Sequence, residues 1–247
     1  MKSSDNTILV TGGGSGIGRE LAQRWHDAGN TVIVAGRTRA SLDQTAEGRE
    51  NIHVMTLDAS DPADIARFVD ELTKAHPSLN VLVNNAGIMK YEDVTAARDL
   101  TDAENTVETN LLGPIRLIDA LVTHLSAQDD SAIVNVTSGL AFVPLPKAAT
   151  YSATKAALHS YTVSLRKKLE GKVEVIELAP PGVQTELTPG QSEREEYMPL
   201  DDYAEAVMAQ FLSGDVPAEV LVPNSQMLRD AEKNGNFEQA LDRLASM

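Results

Sequence analysis

The sequence contains no cysteine, which excludes disulfides, thiolate nucleophiles, zinc fingers and iron–sulfur clusters. Positive charge is also in short supply. Lys and Arg total 21 against 36 Asp and Glu, a formal net charge of −15. Nucleic acid and anionic membrane surfaces both require a positive field, so neither is expected as a partner. The five histidines (His26, His53, His76, His124 and His159) are scattered, with no pair at metal-ligand spacing, and no metal is expected. Long hydrophobic runs are missing as well. No stretch approaches the ~18 apolar residues of a membrane span. Met1 to Thr7 is polar and lacks the apolar core of a signal peptide. A cytoplasmic protein is expected.

Hydrophobic residues make up 42% of the 247 and charged residues 23%, ordinary for a chain that buries a core. Short apolar, β-branched runs stand at Thr7–Thr11, Thr31–Ala35, Ile52–Leu57, Val81–Asn84, Ala132–Thr137, Val173–Leu178 and Glu219–Val222. Apolar residues at consecutive positions predict strands covered on both faces, as in a parallel sheet. Amphipathic stretches lie between them. In Gly16–Ala28, residues Ile17, Leu21, Trp25 and Ala28 share one helical face. Asp61–His76, Asp102–Ser126 and Tyr151–Leu169 read likewise, with Asp61-Pro62 as an N-cap and first-turn pair. This alternation predicts an α/β, Rossmann-type doubly wound sheet of about seven strands with helices on both faces. No linker or repeat divides the chain, so residues 1–247 are read as one domain. The polar, acidic segment 184–200 is read as a substrate-side loop.

A glycine-rich turn, Thr11-Gly12-Gly13-Gly14-Ser15-Gly16-Ile17-Gly18, follows the first strand and opens the first helix. Glycines let the backbone approach a pyrophosphate, and the helix N-terminus offers it free N–H groups. At the end of the second strand, where a carboxylate would bond the ribose hydroxyls of NAD, stand Gly36 and Arg37, with Arg39 close by. A guanidinium without a neighbouring carboxylate fits a 2′-phosphate, which points to NADP(H) and leaves NAD(H) possible. Arg37 also fits an ordinary solvated charge. Asp58, after the third strand, fits either an adenine contact or a loop cap.

Tyr151 and Lys155 are four residues apart at the start of a helical stretch and so share a face. An adjacent ammonium favours phenolate and is expected to lower the tyrosine pKa, making the pair suited to proton exchange with a carbonyl or alcohol oxygen. Ser138, at the end of the fifth strand, is placed to bond that oxygen. Asn110, within the long helical stretch, reads either as a holder of water or lysine or as a helix-bending polar residue.

In this combination the sequence resembles the short-chain dehydrogenase/reductase family, in its compact single-domain branch, from about Thr7 to Val222. The resemblance implies that Thr11, Gly12, Ser15, Gly16, Ile17 and Gly18 form the cofactor turn. It implies that Asn84-Asn85-Ala86-Gly87 is the fourth-strand motif, with Asn85, Ala86 and Gly87 against the cofactor. Asn110, Ser138, Tyr151 and Lys155 match the catalytic tetrad. Pro181-Gly182-Val183 and Thr185 match the segment under the nicotinamide, with Thr185 as a carboxamide contact. The implied mechanism has Tyr151 exchanging a proton with the substrate oxygen, Ser138 orienting that oxygen, Lys155 binding the nicotinamide ribose, and Asn110 supporting a water chain. Hydride would move at nicotinamide C4 on the pro-S face. The position just before the second motif glycine, basic in some NADP-dependent members, is Ser15 here. The tail from Val220 resembles a subgroup named after an oxidoreductase of lipoteichoic-acid D-alanylation operons.

Met89, Leu140, Phe142, Leu145 and Met198, together with Pro181 and Val183, flank these motifs and are read as the substrate wall or as core packing. An apolar wall with one polar focus suits a ketone, aldehyde or secondary alcohol with hydrophobic substituents. The acidic 184–200 loop predicts an open site. A catalytically idle NADP(H)-sensing protein on the same fold is the second reading, and the intact Ser138, Tyr151 and Lys155 argue against it. Asp102–Ser126 and Tyr151–Leu169 carry more apolar positions than one sheet contact needs, and the family's corresponding helices pair across a two-fold axis. A homodimer or homotetramer is therefore expected, and light scattering at micromolar concentration should give twice or four times the monomer mass; a monomer would contradict it.

Overall fold

A computed structural model describes residues 1–246. Seven strands form one parallel sheet: β1 Thr7–Thr11, β2 Thr31–Gly36, β3 Ile52–Thr56, β4 Val81–Asn84, β5 Ala132–Val136, β6 Glu174–Leu178 and β7 Glu219–Val220. Their order is β3-β2-β1-β4-β5-β6-β7. The doubly wound α/β architecture expected from the alternation is therefore present. The interior strands β1, β4 and β5 are buried at every residue, whereas edge strand β3 exposes His53 and Thr56.

Nine α-helices flank the sheet among the described residues: α1 Gly16–Asp27, α2 Arg39–Ala46, α3 Pro62–Ala75, α4 Thr101–Val107, α5 Gly113–Ser126, α6 Ala149–Lys168, α7 Leu200–Phe211, α8 Pro223–Arg229 and α9 Phe237–Ala245. Successive strand residues point to opposite faces, and the core divides accordingly. Ile8, Val10, Val32, Val34 and Val134 meet Leu21 and Trp25 of α1 and Tyr203 and Phe211 of α7. Leu9, Ile33, Leu82 and Ile133 meet Phe68 and Leu72 of α3 and Leu117 and Leu121 of α5 on the other side. Trp25 and Phe211 join α1 to α7 edge to face, with ring centroids 5.3 Å apart.

The single helix expected over Asp102–Ser126 is interrupted. Between α4 and α5 the residues Glu108–Leu112 form one π-turn. One extra residue in the turn shifts the facing of all that follows, and Asn110, fully buried, faces the segment after β4.

Because β1 pairs with β2 on one side and with β4 on the other, the chain direction of the crossovers reverses there. A crevice opens at the carboxyl ends of strands at such a point. The glycine turn after β1 and the Asn84-Asn85 segment after β4 both sit at it.

Candidate active site

Hydrogen bonds lock the two segments at the crevice together. Thr11 Oγ1 accepts the N–H groups of Asn85 and Ala86, each at 3.0 Å. Asn85 Nδ2 donates to the carbonyls of Thr11 at 2.9 Å and Gly12 at 3.3 Å. Two glycines make this approach possible. Gly12 has φ +67, and a Cβ there would lie 2.9 Å from both Ala86 Cα and Asn85 Nδ2. A Cβ on Gly18 would lie 2.4 Å from the Gly12 carbonyl oxygen. Arg19, which the sequence reading passed over, braces the turn by donating to the Gly14 carbonyl and to Thr45 Oγ1.

Asp61 caps α3 by accepting from the Ala63 N–H at 2.8 Å, whereas Ser15, at the N-cap of α1, makes no side-chain cap bond. The α1 terminus borders a cleft of about 860 Å³ lined by Gly12, Ser15, Gly16, Ile17 and Gly18. The same cleft runs past Asn85, Ala86 and Gly87 to Ser138, Tyr151, Lys155, Pro181, Val183 and Thr185. An uncapped helix terminus behind a close-packed glycine turn fits the phosphates of a dinucleotide. Gly182 lies instead beneath the ring of Tyr197.

A side pocket of about 190 Å³ is lined by Gly36, Arg37, Thr38, Ser41 and Asp58. Arg37 is exposed at its rim, while Arg39 is engaged with Asp43 at 2.7 Å. Asp58 Oδ1 accepts from both the N–H and the hydroxyl of Ser60, at 3.0 and 2.6 Å. It is a loop cap that also faces the pocket.

Ser138, Tyr151 and Lys155 line the far end of the cleft, with Asn110 fully buried behind Gly87. Asn110 Oδ1 accepts the Ile88 N–H at 2.9 Å, and its Nδ2 donates to the Ile88 carbonyl at 2.8 Å. Its amide thus grips the backbone after β4 and does not bond Lys155. The Lys155 ammonium, 4% exposed, donates to the Val136 carbonyl at 2.7 Å and lies 5.6 Å from the Tyr151 ring centroid. Tyr151 and Ser138 share a side-chain hydrogen bond.

The expected lowering of the tyrosine pKa is not what this arrangement gives. Burial pushes the Tyr151 phenol up to about 12, against a smaller opposing pull from Ser138. Burial likewise pushes Lys155 down to about 8. Desolvation disfavours both charged forms, and the lysine nitrogen is committed to a carbonyl. The pair therefore stands as a protonated phenol beside an amine that gives up its proton easily.

The substrate side is more closed than the acidic loop implied. A cavity of about 110 Å³ beside Tyr151 is lined by the expected Met89, Leu140 and Leu145. Leu187, Gln191 and Tyr197 of the 184–200 segment also wall it, as do Leu228 of α8 and Leu244 of α9. The loop is fastened by Arg194, which donates to the hydroxyls of Tyr91 and Tyr197, each at 3.2 Å. Two expected wall residues are not there. Phe142 turns the other way, stacking edge-on against His159 at 5.1 Å with the Arg229 guanidinium over its ring. Met198 bridges to Val183 through the backbone and packs against the core. No local pattern in the sequence marked Leu228 or Leu244, which the chain brings back from more than seventy residues beyond Tyr151.

One histidine does meet two carboxylates that are distant from it in sequence. His159, Glu177 and Glu219 place ligand-type atoms within 4.8 Å of one another. Each has a partner already: His159 Nδ1 is 2.8 Å from Glu177, Thr137 donates to Glu177 at 2.6 Å, and Arg229 donates to Glu219 at 2.8 Å. The cluster is a polar tie between α6, the last strands and α8.

Comparison with known proteins agrees with this geometry. The family described as short chain dehydrogenase matches residues 6–196. The chain is 40% identical over 237 residues to the uncharacterized oxidoreductase DltE of Bacillus subtilis, covering 94% of each. It is 34% identical over 186 residues to sulfoacetaldehyde reductase 2 of Chromohalobacter salexigens, covering 73% of this chain and 74% of that one. A crystal structure of a short chain dehydrogenase from Burkholderia cenocepacia in complex with NADP superposes with TM-score 0.82 at 26% identity, covering 99% of both chains.

The buried lysine gives a pH test. A fall from 10.5 to about 8 disfavours the folded charged form by ~3 kcal/mol. Between those pH values the unfolded chain holds a proton that the folded one has released, so this group's contribution to stability rises with pH across that window. Lys155→Met should therefore stabilise the protein at pH 7, by about 2 kcal/mol once the lost bond to Val136 is allowed for. The gain should shrink between pH 8 and 10.5 in urea unfolding. A difference independent of pH would contradict the desolvation account.

Proposed function

The chain belongs to the short-chain dehydrogenase family, and on that premise we propose that it is an NADP(H)-dependent oxidoreductase interconverting a ketone or aldehyde with its alcohol. The observation that carries this reading is the buried Ser138–Tyr151–Lys155 cluster at one end of a cleft whose other end is the uncapped glycine turn. When bound, the dinucleotide would supply or accept hydride at its nicotinamide. Gly12, Ser15, Gly16, Ile17 and Gly18 would hold its phosphates, and Asn85, Ala86, Gly87, Pro181, Val183 and Thr185 would flank the nicotinamide half, with Gly182 set back beneath Tyr197.

The protein's own chemistry is the proton. Tyr151, raised above the ordinary phenol range by burial, is kept protonated at neutral pH and serves as the acid for a carbonyl oxygen. In the reverse direction it accepts that proton. Ser138 orients the same oxygen through its hydroxyl. Lys155 is assigned to the nicotinamide ribose, with an amine that loses its proton near pH 8 and can pass one on. Asn110 holds the segment after β4 in place beside it.

Arg37, exposed at the rim of a pocket whose only carboxylate among the lining residues, Asp58, comes from beyond β3 and not from the end of β2, supports a preference for the 2′-phosphate of NADP(H). The apolar cavity supports a small carbonyl compound with hydrophobic substituents. The named reductase among the relatives supports the reductive direction.

Two variants test the assignment. Tyr151→Phe removes the acid alone, so NADPH oxidation with an aldehyde and ketone panel should fall by at least ~100-fold while the NADPH Kd stays within a few-fold; retained turnover would remove Tyr151 from the mechanism. Arg37→Asp should move the NADPH/NADH ratio of kcat/KM toward NADH by ~10- to 100-fold, the worth of a charged hydrogen bond. An unchanged ratio would take Arg37 out of cofactor selection.

A further inference from the structure

The catalytic helix α6 has no cap of its own. Its N-cap residue, Ala148, offers no side-chain acceptor. The first turn is capped from elsewhere, by Glu92 in the loop between β4 and α4. One Glu92 oxygen accepts the Thr150 N–H; the other accepts the Thr150 hydroxyl at 2.9 Å and pairs with the Arg98 guanidinium. The Glu92 N–H in turn donates to the Lys147 carbonyl at 2.9 Å. The Glu92 side chain is 10% exposed and Arg98 28%, so neither charge is fully screened by water. Burial would raise the Glu92 carboxyl, but the Thr150 N–H and hydroxyl and the Arg98 charge outweigh it and hold it below the usual carboxylate range. It is an anion throughout the working pH range.

Thr150 immediately precedes Tyr151. The α6 N-terminus carries the positive end of the helix dipole, which favours a phenolate in the first turn. A carboxylate on that terminus opposes the effect, and a guanidinium on the carboxylate partly restores it. Resting on the reading of Tyr151 as the acid–base group, we propose that Glu92 is a positioning residue that sets the proton affinity of Tyr151 from outside the catalytic helix, with Arg98 as its counter-charge.

Other groups also face Tyr151. Lys155 follows it on α6 and Ser138 bonds it from the end of β5. Lys147 and Tyr197 line the same cavity, and Lys90 and Glu186 line the cleft further out. Glu92 differs from all of these in being joined to the helix terminus itself. It also couples the loop after β4, which carries Met89 of the substrate wall, to the turn that carries Tyr151.

The test is the ultraviolet difference titration of the Tyr151 phenol, wild type against Tyr151→Phe, which tells its limb from that of Lys155, together with the pH dependence of kcat/KM for oxidation of a panel of simple secondary alcohols with NADP⁺, in which rate rises as Tyr151 loses its proton. Glu92→Gln keeps an acceptor for the Thr150 N–H and removes the charge, so the apparent pKa should fall by about half to one pH unit. Arg98→Met leaves Glu92 unopposed, so the apparent pKa should rise by about half a unit. Limbs that coincide with wild type while kcat falls would make Glu92 a mere brace and overturn the proposal, as would shifts in the same direction in both variants. No turnover by wild type on the panel would overturn the functional reading and this proposal with it; a wild-type limb that neither variant moves overturns this proposal alone.

Discussion

A buried ammonium constrains this site. Lys155 is almost wholly removed from water and donates to the Val136 carbonyl. An amine so placed is expensive to keep charged, and the surroundings show how it is accommodated. Strand β5 ends where Val136 can turn a carbonyl to it. The π-turn pulls Asn110 inward to hold the segment after β4 nearby. Helix α6 presents Tyr151 one turn before the lysine, and Ser138 closes the group from the strand end. Moving any one of these elements by a residue would leave a buried polar group without a partner.

The cofactor end depends on a different constraint, the close approach of two backbones. Gly12 and Gly18 lack the Cβ atoms that would collide with the Asn85 segment. Thr11 and Asn85 then pin β1 to β4 where the winding of the sheet reverses. The two ends share one strand connection, since the chain leaving β4 passes from Asn85 through Gly87 to Ile88, which Asn110 grips. Glu92, a few residues further on, reaches the α6 terminus. That single connection thus touches the glycine turn, the apolar cavity and helix α6 in succession.

Much of this was legible in the sequence because it depends on local pattern. Short runs rich in β-branched and apolar residues marked the seven strands, and the glycine spacing and the Tyr151–Lys155 interval marked the two ends of the site. What was not legible depends on contacts distant in sequence. The break at Glu108–Leu112 stands just before Gly113-Pro114, a local signal of an interrupted helix because proline has no N–H for the Asn110 carbonyl four residues back; what the spacing does not convey is that Asn110 then meets Ile88. Phe142 is near Ser138 in sequence, but its ring is drawn to His159 and Arg229 on the other side of the turn. Leu228 and Leu244 enter the cavity from the chain's end. The direction of the Tyr151 pKa departs from the expected one for a related reason: the spacing conveys proximity to a cation but not that both groups are desolvated.

If the proposed function holds, hydride reaches a carbonyl carbon beside Tyr151. The most direct measurement is label transfer: incubate the protein with NADPH deuterated at the pro-S position of C4 and a panel of aldehydes and ketones, then analyse the alcohols by mass spectrometry. The expected product is an alcohol carrying one deuterium on the former carbonyl carbon. Deuterium that remains entirely with the nicotinamide, with no alcohol formed from any member of the panel, would contradict it.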